Sequence, residues 1–219
     1  MRIFCDFDGT ISTTDASNLI FGRFADPAWE GVERRWLAGE IDAATCMAAQ
    51  VALVKASLSS LDAQLDGIDL RDGFVAILAW CRARGIPFTI VSDGVDYFIY
   101  RILKRHGIDD VPIIANRFVA AGHDRWKLEH PWRRSDCVGR SGVCKCAVLA
   151  AEDNERITVF VGDGRSDFCV ATRPDILFAT GQLERFCVEG AISFLPFDSF
   201  ADVQSALEAV AEKQTAWAV

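Results

Sequence analysis

The chain of 219 residues has no run of 18 or more apolar residues, so a membrane-spanning helix of ordinary length is not expected. Basic residues are in short supply, with 23 Lys and Arg against 31 Asp and Glu, a net charge of −8 and a pI near 4.9. That balance leaves no concentrated basic face, which argues against nucleic acid or an anionic membrane surface as partners. An anionic substrate would need a local positive site. Paired Cys-x2-Cys spacing is missing, as are internal repeats, low-complexity segments and an interdomain linker. Met1-Arg2 runs directly into strand-like residues with a carboxylate at position 6, so no signal peptide is expected, and the eight cysteines read as reduced thiols in a cytoplasmic protein. Cys137, Cys144 and Cys146 do cluster, in the spacing Cys-x6-Cys-x-Cys with His130 upstream. Together they could ligate a structural zinc, though free thiols are the default. His106 and His123 have no partner pattern and are expected at a helix end and a turn.

What is present is a hydrophobic share of 51%, enough for one main domain with room for an insertion. Strand-like runs at 3–7, 87–92, 111–115, 157–162 and 176–179 alternate with helical patterns at 71–84, 95–106, 145–152 and 200–213. This predicts an α/β fold with a mostly parallel, Rossmann-like sheet flanked by helices. Between Asp15 and Asp69 the alternation stops, and three or four amphipathic helices follow one another. The expected organisation is a catalytic core of residues 1–14 and 70–219 with an all-helical cap, residues 15–69, inserted after strand one. Gly122-His123 is expected to turn a hairpin, and residues 131–142 to form an irregular polar loop. The six tryptophans fit core or cap packing, and Trp217 is a candidate dimer contact, so monomer and homodimer both stay open.

In an open parallel sheet, chemistry gathers at the carboxyl ends of strands. Three such ends here are polar: Asp6-Phe7-Asp8-Gly9-Thr10, Ser92-Asp93-Gly94, and Gly162-Asp163-Gly164-Arg165-Ser166-Asp167. Lys145 opens the helix that leads into the last of these strands. Strand alternation places Asp6 and Asp8 on one side and Phe7 on the other. Taken singly, each string has an ordinary reading: Ser92 and Gly94 as turn residues, Asp163-Gly164 as a turn, Lys145 as surface charge with Lys127 as its rival. An apolar strand feeding each string, and their order, favour a site.

With these four motifs in this order the chain resembles the haloacid dehalogenase superfamily, in its phosphoserine-phosphatase-like branch, over nearly its whole length. The resemblance implies a phosphomonoester phosphatase in which Asp6 is the nucleophile, forming an aspartyl-phosphate. It implies Asp8 as the acid and base, needing a raised pKa. It also implies Mg2+ held by the Asp6 carboxylate, the Asp8 carbonyl and the Asp163 carboxylate, with Asp167 behind them. Ser92, the Gly94 N–H and Lys145 would hold phosphoryl oxygens, and Thr10 would tie the loop after strand one.

The cap is expected to select a small phosphorylated metabolite. Asp15 stands where phosphoserine phosphatases carry a glutamate for the substrate amine. Where they place an arginine for the carboxylate, this chain has Ala48, Ala49 and Gln50. Losing that partner costs about 2–5 kcal/mol for a charged contact, which disfavours phosphoserine. A closer resemblance is to the methionine-salvage phosphatases of this branch. They share Cys5-Asp6-Phe7-Asp8-Gly9-Thr10-Ile11, the Gly94-Val95-Asp96 step and a cysteine-bearing loop before the motif lysine. That resemblance implies 2-hydroxy-3-keto-5-methylthiopentenyl-1-phosphate as substrate, met by Asp15, Gln50 and apolar cap residues. The alternatives are a phosphoserine phosphatase, a phosphotransferase of the same branch, and a phosphate-binding module without turnover.

Overall fold

The computed structural model describes residues 1–151 and 156–216. Trp217 and the far end of the helix expected at 145–152 fall outside them. Seven strands make one sheet: β1 (Arg2–Cys5), β2 (Phe88–Val95), β3 (Ile113–Gly122), β4 (Arg125–Glu129), β5 (Thr158–Gly162), β6 (Ile176–Ala179) and β7 (Leu195–Pro196). Their spatial order is β4-β3-β2-β1-β5-β6-β7, parallel throughout except for the β3–β4 hairpin. The chain lays β1, β2 and β3 outward on one side, then returns to lay β5, β6 and β7 outward on the other. The sheet therefore switches direction between β1 and β5, and ligands bind in the crevice that such a switch opens at the carboxyl edge.

Residue parity shows why these strands are buried on both faces. Ile3, Cys5, Ile90, Val159, Val161 and Phe178 enter one apolar cluster, while Phe4, Val91, Phe160, Leu177 and Ala179 enter a second. Neighbours along a strand point to opposite faces, so unbroken apolar runs feed two cores at once. The first core is covered by α5 (Phe74–Ala83), α6 (Asp96–Arg105) and α9 (Phe200–Ala216), and the second by α7 (Lys145–Ala150) and α8 (Gly181–Glu189).

Four helices stand between β1 and α5: α1 (Ala16–Phe24), α2 (Trp29–Leu37), α3 (Ala43–Ala52) and α4 (Leu58–Leu65). Short polar caps start three of them. Asp15, Asp42 and Ser57 each accept a hydrogen bond from the backbone N–H three residues on, at 2.8, 2.8 and 3.2 Å. Each such cap contributes about 0.5–2 kcal/mol. Helix α4 is fastened to α6 by Arg101, which grips the Asp66 carboxylate with two bonds of 2.7 and 2.6 Å, and by the Tyr97 hydroxyl donating to Asp62 at 2.6 Å. At the opposite end, Arg133 pairs with Asp42 at 2.7 Å and the Ala44 N–H donates to the Arg140 carbonyl at 3.3 Å.

The hairpin expected at Gly122-His123 forms and turns one residue on, at His123-Asp124, with Gly122 opposite Arg125. Elsewhere the boundaries differ. β3 runs to Gly122 rather than ending at 115, because Phe118 stacks on Trp126 at 4.5 Å and extends the pairing with β4. α5 starts at Phe74 rather than 71. Gly73 is left-handed at φ +84°, and a Cβ there would lie 2.7 Å from the Ala201 nitrogen. Helix α8 and the two-residue β7 have no counterpart in the sequence reading; β7 is too short to show a period. Among the described residues no helix is long and apolar enough to cross a membrane.

Candidate active site

β1 lies between β2 and β5, and its register brings the three polar strand ends side by side. Asp6 leaves β1 with its N–H bonded to the Val161 carbonyl at 2.9 Å. Its carboxylate is buried: one oxygen accepts from the Phe7 N–H at 2.8 Å, and the other lies 2.9 Å from Lys145 Nζ and 3.4 Å from Ser166 Oγ. Lys145 is wholly buried, and its ammonium spends the rest of its donor capacity on Asp167 at 2.6 Å and Ser166 at 3.0 Å. Burial lowers its pKa, but Asp167 and Asp6 outweigh that and hold it above the ordinary lysine value. The rival, Lys127, is an exposed partner of Glu129.

Asp163 accepts from Thr10 Oγ1 at 2.6 Å, so Thr10 ties the loop after β1 to the end of β5. Asp167 gives one oxygen to Lys145 and uses the other to accept the N–H groups of Asp163 and Gly164, both at 3.1 Å. Desolvation and the charge of Asp6 push Asp163 up to about 6 and Asp167 up to about 7. Asp6, Asp163 and Asp167 place ligand oxygens within 4.8 Å of one another, the one such group among the described residues. Carboxylates crowded this closely repel one another, and a hard divalent cation fits that oxygen set. Cys137, Cys144, Cys146 and His130 do not form a comparable set; the His130 Nδ1–H donates to Asn116 Oδ1 at 2.7 Å.

The Asp8 side chain turns away from this group. It accepts from the Ala16 N–H at the start of α1, at 2.8 Å, and a Cβ built on Gly94 would lie 2.6 Å from its Oδ2. Only glycine leaves room for that carboxyl. Desolvation, then Asp15, raise its pKa well above the usual range. The Gly94 N–H donates to Ser92 Oγ at 3.1 Å, so both phosphate-binding candidates on β2 already touch each other.

Two candidates sit in the helical block. Asp15 caps α1 and also accepts from the Asn18 side chain at 2.9 Å, while buried Gln50 donates to Glu33 at 2.7 Å. Burial, then the charge of Asp6 and to a smaller extent that of Glu33, raise the Asp15 carboxyl above its ordinary value.

Three site-shaping residues escaped the sequence reading. Arg71 clamps the loop after β1, donating to the Thr10 carbonyl at 2.8 Å and the Gly9 carbonyl at 2.5 Å. Asp93 accepts from the Val143 N–H at 2.9 Å and from Asn116 at 3.2 Å, fixing the segment that delivers Lys145. Ser166 bridges Asp6 and Lys145. Asp93 and Ser166 lie inside the strings already singled out, but nothing local marks Arg71.

A sheet that switches direction under a buried lysine, three hydroxyls and four carboxylates defines an enzyme site suited to phosphoryl groups. Residues 3–172 match the haloacid dehalogenase-like hydrolase family. The chain is 30% identical over 227 residues to a 2-hydroxy-3-keto-5-methylthiopentenyl-1-phosphate phosphatase of Bacillus velezensis, covering 98% of this chain and 92% of that protein. A Bacillus cereus protein of the same name is 29% identical, covering 97% of this chain and 98% of its own. In fold the chain is similar to a substrate-bound phosphoserine phosphatase, with a TM-score of 0.68 and 17% identity over 94% of this chain and 97% of that one. The protein belongs to the haloacid dehalogenase-like hydrolase family, and is a phosphoric monoester hydrolase.

Proposed function

We propose that this phosphatase works through an aspartyl-phosphate on Asp6, and that its substrate is 2-hydroxy-3-keto-5-methylthiopentenyl-1-phosphate. The observation that carries the mechanism is the contrast between Asp6 and Asp8. Asp6 lies 2.9 Å from the Lys145 ammonium, whereas burial, then the charge of Asp15, raise the pKa of Asp8, which suits it to give a proton. In the first step the Asp6 carboxylate attacks phosphorus, the ester bond breaks, and Asp8 passes its proton to the departing oxygen. In the second, Asp8 takes a proton from water, the water oxygen attacks phosphorus, and Asp6 is released with phosphate. Lys145, Ser92 and the Gly94 N–H hold the charge that grows on the phosphoryl oxygens.

Asp6, Asp163 and the Asp8 carbonyl would hold Mg2+, with Asp167 steadying the loop behind it. When bound, the ion supplies the positive charge that lets an anionic carboxylate approach an anionic phosphate. Residues 15–69 act in this reading as the cap, anchored through α4 and closing over the leaving group. The substrate assignment is supported by the names of the relatives that match along nearly the whole chain. It is supported also by the absence of an arginine from α3, where Gln50 is engaged with Glu33.

The deciding experiment compares kcat/KM for the salvage ester, phosphoserine and an aryl phosphate, with added alcohol to expose transfer. The salvage ester should lead by at least about tenfold; phosphoserine in first place would sink the substrate assignment.

The carboxylates also predict a metal-linked stability. Raised values near 6 and 7, against about 4 in an unfolded chain, mean that the metal-free folded state binds more protons across that window. Its stability therefore falls as pH rises from about 4 to 7. Mg2+ should raise Tm by roughly 3 °C or more at pH 7.5 and by about 1 °C or less at pH 5. An equal gain at both would remove the carboxylate site.

A further inference from the structure

β2 and β3 pair in register as far as Val91 and Ile114, and pairing resumes at Val95 and Asn116. Ser92, Asp93 and Gly94 of β2 therefore stand opposite Ala115 alone. Extra residues of this kind bulge out of the ladder, and their backbone carbonyls need other donors. The buried Asn116 side chain supplies one: its Nδ2 donates to the Asp93 carbonyl at 2.6 Å, the Gly94 carbonyl at 3.2 Å and the Asp93 carboxylate at 3.2 Å. The same carboxylate oxygen accepts from the Val143 N–H at 2.9 Å, two residues before Lys145. One amide thus joins the bulge that carries Ser92 and Gly94 to the segment that delivers the lysine. Its direction is forced, because turning it over would set Oδ1 against three oxygens. Oδ1 instead faces His130 Nδ1 at 2.7 Å, and that ring nitrogen has to carry the proton. Asn116 and His130 lie one step beyond Arg117 and Glu129, the pair at the open end of the β3–β4 hairpin. A Cβ on Gly142 would strike both Asn116 Oδ1 and His130 Nδ1, so only glycine lets the loop pass over the two side chains.

We infer that Asn116 and His130 are positioning residues for phosphoryl transfer: the Asn116 amide holds the Ser92–Gly94 bulge and, through Asp93, the approach to Lys145, while His130 sets the direction of that amide. The inference rests on the reading of Ser92, Gly94 and Lys145 as the groups that hold phosphoryl oxygens. Neither residue touches the reacting atoms. They act through distance, since a donor displaced by about 1 Å from the phosphoryl oxygens costs on the order of a hundredfold in rate. The hairpin, which adds no group of its own to the site, becomes the support against which the two halves of the phosphoryl grip are aligned.

The test compares His130→Asn, His130→Gln and Asn116→Asp on an aryl phosphate, with the inhibition constant of orthovanadate as a second readout. Vanadate takes up the five-coordinate geometry of a transferring phosphoryl group, so its binding reports how well the grip is aligned. A fold defect lowers the fraction of active enzyme and leaves that constant unchanged. His130→Asn puts an amide N–H where the ring Nδ1–H stood and should keep kcat and the vanadate constant within about threefold of wild type. His130→Gln carries its amide past that point, and Asn116→Asp turns an oxygen on the bulge carbonyls. Each should lower kcat about tenfold or more and weaken vanadate by a similar factor. An unchanged vanadate constant in both, or a His130→Asn variant as impaired as His130→Gln, overturns the inference. Ser92→Ala tells this failure from that of the reading beneath it. A wild-type vanadate constant in Ser92→Ala removes the grip and the inference together, whereas weakened binding there, beside wild-type binding in His130→Gln and Asn116→Asp, removes the inference alone.

Discussion

Asp6→Asn should fold normally and lose at least about 10⁴-fold in kcat on an aryl phosphate with Mg2+ present, because the amide oxygen cannot form the covalent intermediate. The substitution is nearly isosteric and keeps an acceptor for the Phe7 N–H. It also removes one of the charges that, after burial, raise Asp8, Asp163 and Asp167. Thermal stability at pH 7.5 should therefore be unchanged or slightly higher while turnover vanishes. Retention of even a few per cent of wild-type kcat, after control for contaminating phosphatase, would remove Asp6 as nucleophile.

Lys145→Met should be the most destabilising single change in the site. The ammonium is fully buried between Asp6 and Asp167, and the apolar replacement strands two carboxylates away from water. Breaking a buried pair in this way costs about 3–5 kcal/mol. The sign with pH follows from the pairing. Lysine held above its ordinary value contributes fully at pH 7.5, well below its unfolded value, and the contribution would be lost only in strong alkali. Its stranded partners can escape by taking up protons, so the loss measured in urea should shrink at pH 5.5. Mg2+ should recover part of it, since the cation answers the same carboxylates. A cost below about 1 kcal/mol at pH 7.5, the scale of an exposed pair, would mean that Lys145 is not the buried counter-ion.

The two ends of the helical block differ in how they are held. The Arg101 fork and the Tyr97 hydroxyl tie α4 to α6 with three short bonds, two of them the halves of one partly buried charge pair. The opposite end relies on one pair, Arg133 with Asp42, one backbone bond and the Trp36–Arg165 contact. Opening at that end, with α4 as the fixed edge, breaks fewer strong contacts than the reverse.

Much of this was legible in the residues. Apolar runs closed by Asp6-Phe7-Asp8, Ser92-Asp93-Gly94 and Gly162-Asp163 gave three strand ends, because parallel strands buried on both faces cannot carry polar residues except at their edges. The three or four consecutive helices expected between Asp15 and Asp69 were marked by their amphipathic period, and four stand there. Local pattern did not reach the side chains that act by contact. Arg71 reads as the first residue after the helical block, and its hold on the Gly9 and Thr10 carbonyls spans about sixty residues of chain. Nor did local pattern show that Gln50, expected to face substrate, donates to Glu33 on the preceding helix.

By itself, then, the sequence determined the chemistry: which carboxylates, hydroxyls and lysine end which strands, and that an arginine is missing from α3. Only the tertiary structure decided how these groups are charged and what they meet. Lys145 is a counter-ion, not a surface lysine, because closing the sheet buries it against Asp6, 139 positions away. The Asp8 carboxyl is raised above its ordinary pKa because the fold buries it, with Asp15 nearby and Gly94 leaving it room. Arg140 and Arg165 share a cleft with Trp36 and Ile41 only after the helices fold back over the core. Periodicity records which face of an element is buried, and the partners across a core are set by the packing of elements far apart in the chain.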